Sequence, residues 1–150
     1  VKFDSINGIL DYAIDKEQDA ADFYSGLANR MEKEYMKQIF SQFAKEEMGH
    51  KKKLQGVKEG KFLLSSEKKV MDLKIGDNLA DVDLDATLDF QQALIVAMKA
   101  EKVSFRLYND LAEAADTPEM KETFLALAQE EAKHKLRFEI EYDDYALREN

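Results

Sequence analysis

Two stretches carry the residue types best suited to chemistry, Phe40-Ser-Gln-Phe-Ala-Lys-Glu-Glu-Met-Gly-His50 and Phe124-Leu-Ala-Leu-Ala-Gln-Glu-Glu-Ala-Lys-His134. Each contains Glu-x-x-His: Glu47 with His50, and Glu131 with His134. Residues three apart share one face of a helix, so each pair aims a carboxylate and an imidazole in the same direction. Such groups ligate divalent cations. Phe40, Phe43, Leu54 and Val57 continue the first face at three- and four-residue steps, and Phe124, Leu127 and Phe138 continue the second. A lone Glu-x-x-His is usually a surface pair, but these fall where the periodicity demands core.

The remaining helical patterns bring two more carboxylates to the same seam. Residues 5 to 31 read as a first helix, capped by Asp4 or Ser5, with Ile6, Leu10, Ala13, Glu17, Ala20, Tyr24, Leu27 and Met31 inward. Residues 34 to 59 form the second, with Met36 also inward and Gly60 as its stop. The short step between them predicts an antiparallel hairpin. A third helix runs from about Thr87 to Ala115 with Phe90, Leu94, Ala97, Glu101, Ser104, Tyr108, Leu111 and Ala115 inward. Thr117-Pro118-Glu119 signals the start of a fourth, which continues to about Tyr145 with Met120, Phe124, Leu127, Glu131, His134, Phe138 and Tyr145 inward. Residues 60 to 86 lose the periodicity and read as a long crossover with one short helix near Ser66 to Leu73. A four-helix bundle needs such a length to carry the chain from one end to the other.

The chain repeats itself. Glu17 and Glu101, Glu47 and Glu131, and His50 and His134 are each separated by 84 positions, as are Ala13 and Ala97, Tyr24 and Tyr108, Leu27 and Leu111, Met36 and Met120, and Phe40 and Phe124. Duplicated helical hairpins, about 5–59 and 87–147, account for this within one all-α domain spanning 1–150. Each glutamate lies 15 residues from the middle of its own hairpin turn, about 22 Å along either arm. Four carboxylates and two imidazoles therefore meet at one level inside the bundle.

Four buried carboxylates repel one another and each costs several kcal/mol to desolvate, so protons or cations must neutralise them. Two divalent ions match four carboxylates with neutral histidines. Oxygen-rich ligands with one imidazole per ion suit iron or manganese. With no cysteine among 150 residues, thiolate zinc sites, iron–sulfur clusters, disulfides and cysteine catalysis are excluded. The net charge of −9 makes nucleic acid a poor partner. The longest apolar run, Ala93 to Met98, is far short of a membrane span. The first residues show no basic segment leading into an apolar one, so a cytoplasmic location is expected. Met31, Met36 and Met120 read as core fill near the helix ends.

These motifs resemble the ferritin-like di-iron carboxylate bundles, which place a single Glu on two helices and Glu-x-x-His on two others. Within that group the chain is similar to the rubrerythrin family, through Ala13-x-x-x-Glu17 with Phe23-Tyr24, Phe43-Ala-Lys-Glu-Glu-Met-Gly-His50, and Leu127-Ala-Gln-Glu-Glu-Ala-Lys-His134. The likeness covers all four helices and leaves out the crossover. It implies Glu17 and Glu101 as terminal ligands, Glu47 and Glu131 as bridging ligands, and His50 and His134 as nitrogen ligands of two iron ions, with manganese or a mixed pair as alternatives. Tyr24 and Tyr108 would then donate to ligand carboxylates or bond elsewhere in the core. Ser104 stands where rubrerythrins commonly carry a further Glu, and the equivalent in the first repeat is Ala20. The cysteine-ligated rubredoxin domain that often follows is not in the sequence.

The resemblance implies a cytoplasmic non-haem oxidoreductase that reduces hydrogen peroxide, or else uses dioxygen, and that pairs at least as a homodimer. Electrons would come from a separate donor protein such as a rubredoxin. Competing expectations are ferritin-like iron oxidation and storage, manganese catalase chemistry, and a metal-binding or interaction bundle without enzymatic activity. Glu46 and Glu130 lie off the seam, facing solvent or supporting the ligands. Lys51, Lys52 and Lys53, with Lys133, Lys135 and Arg137 in the repeat, read as a solvated face or as a dock for an acidic donor.

Overall fold

The computed structural model of the chain describes residues 2–3, 6–61, 71–72, 89–115 and 117–149. Its architecture is four helices: α1 (Ile6–Arg30), α2 (Glu34–Gly56), α3 (Phe90–Ala114) and α4 (Pro118–Glu149). Two minimal strands, β1 (Lys2–Phe3) and β2 (Met71–Asp72), pair antiparallel. Helix α1 packs chiefly on α2 and α3 on α4, as the short connections require, and the bundle is all-α with ferritin-like topology.

The seams select these partners. Leu10, Ala13, Tyr24 and Leu27 of α1, and Leu94, Ala97, Tyr108 and Leu111 of α3, are all buried, each following the three- and four-residue rhythm of an inward face. Ser104 and Ala115 are only half-buried, because they lie at the edge of the stripe. The apolar interior divides into two clusters. One holds Met31 and Met36 beside the first hairpin turn, together with Phe90 at the start of α3 and Phe138 near the end of α4. The other holds Leu10 and Val57 together with Leu111 and Met120 beside the second turn. The hairpin turns therefore lie at opposite ends of the bundle, with Val57 in the second cluster and Phe90 in the first.

The helix ends differ from the sequence-based expectations in three places. Helix α3 begins at Phe90 rather than Thr87, because the Asp89 carboxylate accepts from the Gln92 backbone N–H while the Gln92 side chain accepts from that of Asp89. Such a reciprocal cap fixes the first turn. Gly60 does not stop α2: helical φ and ψ persist at Val57 and a π-helical turn, Val57–Lys61, carries the chain past the glycine. Helix α4 continues beyond Tyr145 to Glu149. Its start is as expected, with the Thr117 hydroxyl accepting from the Met120 N–H. Asp4, Ser5 and most of the crossover lie outside the described residues. Of the short helix expected near Ser66 to Leu73, Met71 and Asp72 instead form β2, paired antiparallel with β1 at the start of the sequence.

Candidate dimetal centre

Between the two apolar clusters lies a polar layer made by all four helices. Helix α1 supplies Glu17, α2 Glu47 and His50, α3 Glu101, and α4 Glu131 and His134, none of them more than 7% exposed. The equal heights inferred from the hairpin turns are thus realised: the six residues named from spacing converge in one place.

The layer is organised by bonds that cross from one hairpin to the other. Tyr24 of α1 donates its hydroxyl to Glu101 Oε1 of α3 at 2.5 Å, and Tyr108 of α3 donates to Glu17 Oε1 of α1. His50 Nδ1 lies 2.6 Å from Glu131 Oε1, and His134 Nδ1 lies 3.1 Å from Glu47 Oε1. The outer ring nitrogens are held in the same crossed way. His134 Nε2 sits 2.7 Å from Glu46 Oε2, and His50 Nε2 meets Glu130 Oε2. Glu46 and Glu130, read as solvent-facing or supporting, are both: each side chain is partly exposed and each reaches an imidazole of the other hairpin. Donation from His50 Nε2 to Glu130 leaves the His50 Nδ1 lone pair aimed inward, the form in which an imidazole binds a cation.

The electrostatics show what the layer lacks. Burial, then repulsion from Glu101 and Glu17, pushes the Glu47 carboxyl well above the usual range. Burial, then Glu101 and Glu47, does the same to Glu131. Burial also acts upward on Glu17, but hydrogen bonding with Glu47, His50 and Tyr108 outweighs it and leaves this carboxyl low. For His50, burial disfavours the imidazolium, yet Glu17 and Glu130 prevail and raise it. Burial followed by the neighbouring carboxylates drives both tyrosines well up, so they remain phenols and donors. Oxygens Glu17 Oε2, Glu47 Oε2, Glu101 Oε2 and Glu131 Oε2 are buried without a hydrogen-bond partner. Orphaned buried acceptors in such number call for a cation.

Two overlapping sets have the geometry to hold one. Glu17, Glu47, His50 and Glu131 form the first, and Glu47, Glu101, Glu131 and His134 the second, with the ligand atoms of each set within 4.8 Å of one another. Glu47 and Glu131 belong to both. The donor chemistry, three carboxylates and one imidazole per set, fits iron or manganese.

The model of the ferritin-like domain matches residues 7–139, which include all six residues of this layer. The chain belongs to the ferritin-like domain family. Solved structures share the fold. This ferritin-like chain is 29% identical to a hypothetical protein from Pyrococcus furiosus, covering 93% of this chain and 89% of that one with a TM-score of 0.75. A Thermotoga maritima protein described as a ferritin-like di-iron carboxylate protein is 19% identical, with 94% and 96% covered and a TM-score of 0.80. A conserved protein from Magnetospirillum magnetotacticum is 22% identical, with 93% and 95% covered and a TM-score of 0.69. A comparison with curated proteins finds no match. Among the described residues no helix is long and apolar enough to cross a membrane.

Proposed function

We propose that this ferritin-like chain is a rubrerythrin-like non-haem di-iron oxidoreductase that reduces hydrogen peroxide to two water molecules with two electrons and two protons. The observation that carries the reading is the pair of buried ligand sets sharing Glu47 and Glu131. In this reading Glu47 and Glu131 would serve both ions, Glu17 and His50 would help to hold one of them, and Glu101 and His134 the other. When bound, two ferrous ions would supply the two electrons that an O–O bond takes up in breaking.

The chain's own residues orient and insulate that centre. Tyr24 and Tyr108 fix one oxygen each of Glu101 and Glu17, leaving the other free to ligate. Glu46 and Glu130 fix the imidazole planes, which stack at 5.7 Å and an interplanar angle of 9°. Phe40, Phe43 and Phe138 pack around Tyr24 and keep water from one side of the layer. In this reading electrons come from a donor such as a rubredoxin, because these 150 residues hold no cysteine for an iron–sulfur centre of their own. A groove over the two imidazoles, rimmed by Lys53, Lys133 and Arg137, supports entry there. Arg137 lies over the Phe43 ring at 5.1 Å, and that ring abuts His134 at 4.7 Å.

Stopped-flow mixing of the iron-loaded, reduced protein tests the proposal. Peroxide is expected to oxidise the metals faster than dioxygen does. Equal or slower oxidation by peroxide rejects it, many ions oxidised and retained per chain would favour storage, and oxygen release from peroxide without reductant would favour catalase chemistry.

A further inference from the structure

The polar layer is sealed along the bundle axis. Phe40, Phe43 and Phe138 close one side of it, and Leu10, Leu54 and Phe124 close the other. Tyr24 and Tyr108, both buried, cross between α1 and α3. A small reactant must therefore approach between α2 and α4, where a groove reaches both imidazoles.

The residues lining that groove come in pairs 84 positions apart. Glu46 answers Glu130, His50 answers His134, and Lys53 answers Arg137. The remaining pair is Gly49 with Lys133, and here the likeness fails. On α2 a side chain is missing where α4 carries a long cation. Packing does not ask for this glycine, since a Cβ at position 49 would have no neighbour within 4 Å. Glycine inside a helix is also less stable than alanine. What it keeps is open space. Gly49 borders the groove between α1 and α2 as well, so α2 is bare from one groove to the next.

The direction of the opening follows from the helices. Glu46 lies level with His134 and Glu130 with His50, so α2 and α4 run antiparallel. Helical side chains lean toward the N-terminus of their own helix. Lys133 therefore leans toward Glu130 and over His50, whereas a side chain at position 49 would lean toward Glu46 and over His134. The exposures agree: His134 is 7% exposed, the highest in the layer, and His50 is 3%.

We infer that Gly49 is the entrance through which a small uncharged oxidant reaches the layer, admitting peroxide at the His134 end while Lys133 covers the His50 end. The inference rests on the peroxide-reducing reading for its ligand but not for its location. It makes two otherwise equal ligand sets unequal. Glu101 and His134 face the entrance, and Glu17 and His50 lie behind it.

His50 and His134 are the two histidines of the chain, so diethyl pyrocarbonate, which acylates imidazoles, reports entry at both ends of the groove. In the full chain without metal, Gly49→Gln should slow acylation of His134 several-fold and leave His50 unchanged. Lys133→Ala should speed His50 instead. Gly26→Ala fills a glycine of α1 with equally open surroundings, away from the groove, and should change neither rate. Circular dichroism checks that each variant keeps its helicity. In the reduced, iron-loaded protein Gly49→Gln should slow oxidation by peroxide by a similar factor. Acylation of His134 that Gly49→Gln leaves unchanged overturns the inference, as does a slowing that Gly26→Ala reproduces. Peroxide oxidation that stays fast once His134 is shielded overturns it too. Wild-type iron oxidised no faster by peroxide than by dioxygen would instead sink the peroxide reading, while the acylation rates still decide whether position 49 is the way in.

Discussion

The carboxylate of Glu46 on α2 lies 2.7 Å from Nε2 of His134 on α4, and on the other side Glu130 of α4 is hydrogen-bonded to Nε2 of His50 on α2. Each glutamate stands one position before an inward-facing glutamate and reaches past its own helix to the other hairpin's imidazole.

Replacing either glutamate by alanine should loosen metal binding by about 10- to 100-fold while leaving the fold intact, since the imidazole keeps its place in the chain but loses its fixed tautomer and orientation. Competition with a chelator of known affinity measures this. Unchanged affinity in both variants would show that the bond has no bearing on the centre.

Tyr24→Phe and Tyr108→Phe each remove the donor to a buried carboxylate oxygen of the opposite hairpin. Either should lower the unfolding free energy by about 1–3 kcal/mol, the usual penalty for a buried acceptor left unpaired. Urea denaturation of the metal-free protein reads it directly. The equal roles of the two tyrosines predict losses of similar size.

Glu47→Gln combined with Glu131→Gln keeps the shape of the two shared side chains and removes their charge. Without metal this variant should melt higher than the parent by several degrees, because repulsion between desolvated carboxylates disappears. It should gain nothing from added ferrous or manganous ions. A parent protein whose melting temperature is itself unmoved by these ions would leave the layer without its cations.

The metal-free protein should lose stability as pH rises. Glu47 and Glu131 are raised well above 4.5 and His50 above 6.5 in the folded state. For each, the native state binds protons more readily than the unfolded chain, so stability is fullest below the unfolded pKa and is lost as pH rises through the folded one. The window opens at about 4.5 for the two glutamates and extends above 6.5 for His50. Glu17, being lowered, acts in the opposite sense, but only below its ordinary value of 4.5. Thermal melts between mildly acidic and neutral pH should fall steadily, and ions bound at the layer should flatten the curve by displacing those protons.

Most of the bundle was legible because its seams are strict. Glutamates at core positions, repeated at a fixed offset and equally far from each turn, locate the polar layer from spacing alone. Helical spacing also placed Tyr24 and Tyr108 on the inward face but left open whether they meet the ligand carboxylates. Glu46 and Glu130 were harder to read, since a position off the seam of its own helix acquires meaning only when the neighbouring helix is known. The start of α3 moved because a local reciprocal cap at Asp89 and Gln92 outweighed the general run of helix formers before it. The turn at Val57–Lys61 was hidden because glycine permits a helix to end without compelling it. The exposure of Leu136 and Ile140 on α4 is illegible for a simpler reason: periodicity reports what faces in.

Neither hairpin owns a complete ligand set. The first contributes Glu17, Glu47 and His50 and borrows Glu131, while the second contributes Glu101, Glu131 and His134 and borrows Glu47. Severed between the hairpins, the chain would become two fragments that each lend one oxygen and take one back. The ions would then be a reversible clasp, and the fragments would reunite in proportion to the metal supplied.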